Sequence, residues 1–159
     1  MRANRPAIRF LSMESAPDVA PLVTEVLPPL VAPGRYPAVF VRAERRVPFG
    51  RHAIYLHFEL MATAPEQASA DGVHLYLSCP LRPDGKVAPS SKYARLWEFV
   101  SGRRATRRDR MSARIFENRV LTVEVRTVTA DHHQRPLPEA LQYSMITGIV
   151  EVQTGRAVP

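Results

Sequence analysis

The stretch RHAIYLHFELMAT, residues 51–63, alternates apolar and mixed side chains with a period of two. Its apolar row is His52, Ile54, Leu56, Phe58 and Leu60, and its mixed row is Arg51, Ala53, Tyr55, His57 and Glu59. Successive side chains of a strand point to opposite faces, so this pattern predicts a half-buried β-strand with the apolar row in the core.

Four other segments carry strand patterns. Before the first stretch lies YPAVFVRAERR (36–46), which is closed by the turn signal VPFGR, and after it lies VHLYLSC (73–79). Near the C-terminus, RVLTVEVRTVT (119–129) is followed by LQYSMITGIVEVQ (141–153). Gly148 lies inside the last segment, where a glycine commonly marks a bulge or a sharp bend. These patterns, with the first stretch, predict five strands.

One segment, SSKYARLWEFVSG (90–102), has the pattern of a helix instead. Ser90 or Ser91 supplies an N-cap, apolar residues follow at spacings of three and four, and Gly102 is placed to end the helix. Trp97 shares a face with Tyr93 and Val100. We therefore expect Trp97 to pack in the core rather than to stack on a ligand.

The predicted order is three strands, one helix and two strands, which is the element order of the OB-fold, a small and partly open Greek-key barrel. We predict a mainly β domain over residues 36–159: an OB-like five-stranded barrel with its helix between strands three and four. A β-sandwich and a roll with a capping helix are the alternatives. Residues 1–35 are proline-rich and predict an extended N-terminal arm, which docks on its own domain or on a partner subunit in a homo-oligomer.

The composition is that of a globular protein with a basic surface. Of 159 residues 45% are hydrophobic and 23% charged, and the formal net charge is +7. The one cysteine, Cys79, excludes an intramolecular disulfide and a cysteine-rich metal site. The apolar stretch in the arm is short and interrupted by prolines, so we expect no membrane span and a cytoplasmic protein.

Arginine dominates the basic residues, and the stretch GRRATRRDRMSAR (102–114) holds six arginines with one acid, Asp109. A guanidinium fork binds phosphate or carboxylate with two hydrogen bonds. We interpret this arginine-rich segment as a binding surface for a nucleic-acid backbone, although an acidic protein partner would satisfy the same side chains. Lys86, in the turn RPDGK, and Lys92, at the helix start, extend the basic surface.

The mixed rows of strands two and three predict a second surface, because aromatic and imidazole rings on an open sheet can stack on bases. It carries Arg51, Tyr55 and His57 on one strand and His74, Tyr76 and Ser78 on the next. The full set of predicted nucleic-acid-binding residues is Arg51, Tyr55, His57, His74, Tyr76, Lys86, Lys92, Arg103, Arg104, Arg107, Arg108, Arg110 and Arg114.

No catalytic motif is apparent. The triplet DHH at 131–133 occurs in a family of phosphoesterases, but those enzymes need further aspartates in separate motifs, so we interpret it as a polar hairpin loop. Neither clustered carboxylates nor zinc-ligand spacing is present. We predict a protein that is not an enzyme and that has no metal or cofactor.

The chain resembles the small OB-fold single-stranded DNA-binding proteins of phages, plasmids and integrative elements. The resemblance covers residues 36–153 and rests on the element order, on Tyr55 and Tyr76, and on the segment RRDRMSARIFENRVLTVEVRTVT. It implies a non-enzymatic protein that binds single-stranded nucleic acid, DNA in preference to RNA. The alternative is a protein-interaction adaptor or inhibitor whose arginines bind an acidic surface of a larger complex.

Overall fold

The computed structural model describes residues 30–107 and 110–153. The strands and the helix are β1 (Gly34–Arg46), β2 (Ala53–Leu60), β3 (His74–Pro80), α1 (Lys92–Ser101), β4 (Val120–Val128) and β5 (Tyr143–Val152). This order confirms the predicted mainly β chain with its helix between strands three and four. Most of the predicted arm, residues 1–29, lies outside the described residues, as do Arg108 and Asp109.

The five strands form one antiparallel sheet in the order β3-β2-β1-β4-β5. The long β1 pairs with β4 through its first half and with β2 from Ala38 onward. A register shift between Phe40 and Arg42 lets this strand serve both neighbours. The Cα atoms of β3 and β5 approach within 8 Å, but no ladder joins these two strands in the described part of the chain, so the sheet is open.

The core lies on the side of the sheet that the alternation predicts. Leu56 and Phe58 are fully buried, and Phe40 contacts Phe58 with ring centroids 5.8 Å apart. Phe40 also contacts Phe116, which lies in a short 3-10 turn, Ala113–Phe116, between α1 and β4. The predicted bulge in β5 is present too, since the pairing of β4 with β5 shifts register beside Gly148.

Helix α1 begins and ends where the sequence predicts. The Ser91 hydroxyl oxygen accepts a hydrogen bond from the Ala94 N–H at 3.2 Å, and Gly102 ends the helix with a φ of 69°. Trp97 is buried against the core, as its position on the apolar face predicts. Among the described residues, no helix has the length and apolar character needed to cross a membrane.

The chain just before β1 is tied to the last strand. The Val31 N–H donates to the Ser144 hydroxyl oxygen at 2.8 Å, and that hydroxyl donates to the Val31 carbonyl at 3.1 Å. Val31 and Ser144 are both buried. β1 itself begins at Gly34, two residues earlier than the sequence pattern predicts.

Candidate functional site

Polar and aromatic side chains form a continuous surface on the side of β1, β2 and β3 that faces away from the core. We call it the tyrosine face, and its residues are Arg42, Glu44 and Arg46 of β1, Tyr55 and His57 of β2, and Tyr76 of β3. Tyr55 lies opposite Glu44, and His57 lies between Arg42 and Tyr76 in the strand register. The Tyr55 and Tyr76 rings are 5.2 Å apart at their centroids and tilted by 54°. Both rings are half-buried, which leaves part of each open to a ligand.

Glu44 holds the cations of the tyrosine face in place. Its carboxylate lies 3.0 Å from Arg46 Nε and 3.2 Å from an Arg42 terminal nitrogen. The hydrogen bond from Arg46 lowers the pKa of Glu44, so the carboxylate is ionised at neutral pH. Arg46 also lies over the Tyr55 ring, with its Cζ 5.3 Å from the centroid. Sequence reasoning missed Arg42 and Arg46, although alternation along RAERR (42–46) places Arg42, Glu44 and Arg46 on one face.

Burial shifts the pKa values of the other two rings, His57 and Tyr76. The pKa of His57 is lowered mainly by burial and further by the charge of Arg42, so the imidazole is largely neutral at pH 7. The pKa of Tyr76 is raised by burial and by the hydroxyl of Tyr143. Tyr143, the first residue of β5, therefore lies beside this face. No sequence signal marked it, because the contact joins strands that are far apart in the chain.

Two predicted residues lie at the margins of the tyrosine face. His74 is exposed and pairs with Glu59, with 3.2 Å between the imidazole Nε2 and the carboxylate. Arg51 is exposed in the loop between β1 and β2, where its backbone N–H donates to the Pro48 carbonyl. Neither residue contributes to the pair of tyrosine rings.

An exposed aromatic cluster lies where the β1–β2 loop meets the β4–β5 loop. Phe49 is 93% exposed, has a φ of 51°, and stacks on His132 with centroids 5.7 Å apart. The His132 and His133 rings are 3.9 Å apart. Asp131 shapes their loop, because its carboxylate accepts the N–H groups of His133 and Arg135. The DHH triplet thus lies in a polar loop as predicted, but its contact with Phe49 was not foreseen.

The described part of the arginine-rich segment follows α1 and is anchored to the helix, and its described arginines are exposed. The Trp97 Nε1–H donates to the Ser112 carbonyl at 3.1 Å, and the Tyr93 hydroxyl donates to the Met111 carbonyl at 2.7 Å. Burial raises the pKa of Tyr93 to about 12. Arg103 lies over the Trp97 ring, with its Cζ 5.7 Å from the centroid.

Four described arginines of this segment, Arg103, Arg104, Arg107 and Arg110, border depressions that neither Tyr55 nor Tyr76 lines. Three depressions adjoin here, and we call them together the basic groove: the first shares Arg45 and Met111 with the second and Arg110 with the third. The cationic residues of the groove are Arg45, Arg82, Lys86, Arg103, Arg104, Arg107 and Arg110. Sequence reasoning missed Arg45, whose place depends on how β1 meets the segment after α1.

Two other predicted residues, Lys92 and Arg114, do not line this groove. Lys92 is half-buried in the first turn of α1, close enough to Cys79 for its charge to act on the thiol, whose pKa is raised to about 12 by burial. Arg114 is exposed on the 3-10 turn before β4. Arg108 lies outside the described residues.

Within the described residues, no group of three histidine, cysteine, aspartate or glutamate side chains could hold a metal ion. A scan against protein-family models, a search of curated proteins and a search of solved structures each return no match.

Proposed function

We propose that the protein binds single-stranded nucleic acid, DNA in preference to RNA, and that it is not an enzyme. The observation that carries the proposal is the pair of half-exposed rings, Tyr55 and Tyr76, with the Arg46 guanidinium over one of them. Aromatic rings stack on bases whatever their sequence, while neighbouring cations attract the phosphate backbone. The preference for DNA rests on the resemblance to phage and plasmid proteins.

We further infer that the fold is an OB-like barrel that stays partly open, because no ladder joins β3 to β5 in the described residues. Three features support this: the strand order β3-β2-β1-β4-β5, the helix between β3 and β4, and the approach of β3 to β5 within 8 Å. In OB-folds, oligonucleotides bind across strands two and three and between the flanking loops. In this chain Tyr55 and Tyr76 lie on β2 and β3, and the stacked rings of Phe49 and His132 lie in the β1–β2 and β4–β5 loops.

The two parts of this surface have different roles in the proposal. His57 is largely neutral at pH 7, so it offers a ring rather than a charge. Arg42 and Arg46 supply positive charge, and Glu44 holds them at fixed positions beside the rings. Phe49 and His132 add a stacked aromatic pair at the loop tips. Bases would stack on the rings while the backbone follows the arginines.

Fluorescence anisotropy with a labelled thymidine 20-mer at low salt tests the proposal. Each base stacked on an aromatic ring is worth about 1–3 kcal/mol, so Tyr55→Ala should weaken binding roughly 5- to 150-fold with no change in salt dependence. Arg46→Ala should instead lower the slope of log affinity against log salt by about 0.7.

Phe99→Ala is the matched control, since Phe99 is an exposed aromatic residue on α1, outside the tyrosine face. This variant should bind the 20-mer like the unmodified protein. A duplex of the same length should bind more weakly, and a uridine 20-mer in competition tests the preference for DNA. If the unmodified protein fails to bind any single strand at low salt, the proposal is wrong.

A further inference from the structure

We propose that a strand bound on the tyrosine face continues past the end of β1 into the basic groove, so that the protein covers a longer strand than the tyrosine face alone can hold. This inference rests on the proposed function. It adds a second segment of the binding path, and it assigns Arg45 to that segment.

Three parts of the chain line the groove: the end of β1, the turn after β3 and the segment after α1. Its first depression lies between Arg45 of β1 and Arg110 of the arginine-rich segment, over a floor that includes Met111. The second is bordered by Arg45 and by the turn that carries Arg82 and Lys86. The third lies beside Trp97 and is bordered by the remaining arginines, Arg103, Arg104 and Arg107, with Arg110 shared. The three depressions adjoin one another, because the first shares Arg45 and Met111 with the second and Arg110 with the third.

The charge of the groove is strongly positive. Seven cationic side chains line it, and among its described lining residues the acids are Glu44 and Asp84. Asp84 pairs with Arg82 at 3.6 Å, and Glu44 is engaged by the arginines of the tyrosine face. A run of cations with so few acids is the pattern that tracks a phosphate backbone.

Hydrogen bonds hold the side chain of Arg45 and the backbone at Arg110. Arg45 donates one hydrogen bond to the Gly85 carbonyl at 3.1 Å, which ties β1 to the turn after β3 and leaves the guanidinium with other donors. The Arg110 N–H donates to the Arg107 carbonyl at 3.2 Å, and the Ser112 N–H donates to the Arg110 carbonyl at 3.0 Å. The bond of Arg45 lessens the ordering cost of binding for that side chain.

Arg45 and Arg46 connect the groove with the tyrosine face. They are consecutive in β1, so their side chains point to opposite faces of the strand. Arg46 lies over Tyr55 on the tyrosine face, whereas Arg45 pairs in register with the buried Ile54 and lines the groove. β1 ends at this point, at Arg46. A flexible single strand that leaves the Tyr55 ring therefore meets Arg46 and then Arg45 as it passes the end of β1.

The groove is suited to contact the phosphates of a nucleic acid and not to stack on its bases. Its aromatic residues, Tyr93 and Trp97, are buried, so they offer no ring for base stacking. Its contribution should therefore depend on the number of phosphates and not on sequence. An acidic protein would meet the same cations, but continuity with the tyrosine face favours the same nucleic-acid strand.

Length dependence tests this path. We would measure thymidine oligomers of 6, 12 and 18 nucleotides, a series chosen to span the roughly 4–16 nucleotides that OB-folds occupy. The unmodified protein is compared with Arg45→Ala/Arg110→Ala, and the shortest oligomer is measured by competition against the longest. The double variant should bind the 6-mer like the unmodified protein. For the 18-mer it should bind at least tenfold more weakly, with a salt slope lower by about 1.4 from two lost phosphate contacts.

Arg35→Ala/Arg126→Ala is the control with the same loss of charge, because both arginines are exposed and neither lines the groove. It should lose no length-dependent affinity, and circular dichroism verifies that both double variants fold. Equal weakening of the 6-mer and the 18-mer by Arg45→Ala/Arg110→Ala would overturn the path. Unchanged binding at every length would also overturn it and would leave an acidic protein as the occupant of the groove. Absence of binding by the unmodified protein would instead refute the proposed function itself.

Discussion

Individual side chains of the candidate site differ in whether they offer charge or ring surface at neutral pH. Burial makes His57 largely neutral, while the hydrogen bond from Arg46 keeps Glu44 ionised. The charge near the two tyrosines therefore comes from the arginines, and the imidazole adds only a ring. Composition reveals how many such residues the chain has, but only burial and neighbours decide the state of each.

Tyr93 offers a test of how burial acts on one residue. Tyr93→Phe leaves the buried Met111 carbonyl without its hydrogen-bond donor, so we expect a loss of about 1–3 kcal/mol in the free energy of unfolding at pH 7. The folded pKa is about 12 against an ordinary value of 10.0, so the unfolded chain loses this proton first. The contribution of the Tyr93 hydroxyl to stability is therefore full below pH 10 and falls as the pH rises from 10 toward 12.

The difference between the two proteins should consequently narrow above pH 10, because phenylalanine has no proton to lose. Urea unfolding of both proteins between pH 7 and pH 11 measures it. Cys79, whose pKa is also raised by burial, is present in both proteins, so the burial of its thiol affects both alike. A difference that stays constant across this range would contradict the prediction.

The strands and the helix were predictable because their patterns are local. The period of two in β2 and the serine and glycine that bound α1 identified these elements within a few residues. The surface they build was only partly predictable. Tyr55 and Tyr76 were found from alternation on neighbouring strands, whereas the contact of Phe49 with His132 joins loops more than 80 residues apart. Arg45 was missed because its role depends on the three-dimensional path of the segment after α1.

The N-cap of α1 supports more than the helix itself, since Tyr93 and Trp97 of this helix anchor the arginine-rich segment. Ser91→Ala removes the side-chain acceptor of the Ala94 N–H and should cost about 1 kcal/mol. Urea unfolding should show a lower midpoint with an unchanged slope. Ser90→Ala is the matched control, because Ser90 is exposed and does not cap the helix, and it should unfold like the unmodified protein. Equal midpoints for the two variants would contradict the assignment of the cap.

The molecule as a whole presents two candidate binding surfaces, to which the consecutive residues Arg46 and Arg45 of β1 contribute. The tyrosine face covers the outer side of β1, β2 and β3, and the basic groove lies between the end of β1 and the segment after α1. The strongest charge cluster in the sequence therefore does not lie beside the tyrosine rings. Instead the two surfaces meet at the end of β1, where our proposal has one strand pass from the tyrosine rings to the cations of the groove.

The stability of the sheet depends on contacts between parts of the chain that are distant in sequence. Ser144 of β5 is fully buried and makes two hydrogen bonds with Val31, 113 residues earlier. Ser144→Ala removes both bonds and leaves the buried Val31 N–H and carbonyl without these partners. Unsatisfied buried polar groups cost about 1–3 kcal/mol each, so we expect this variant to lose at least that amount in the free energy of unfolding.

Ser78→Ala is the matched control for that prediction. Ser78 lies on β3 and is only half-buried, so water can replace any bond that its hydroxyl makes, and its loss should change stability by less than about 0.5 kcal/mol. Thermal and urea unfolding of the two serine variants measure the difference. If Ser144→Ala were as stable as Ser78→Ala, then the segment before β1 would not be fixed to β5. In that case the pairing with β2 and β4 alone would fix the position of β1.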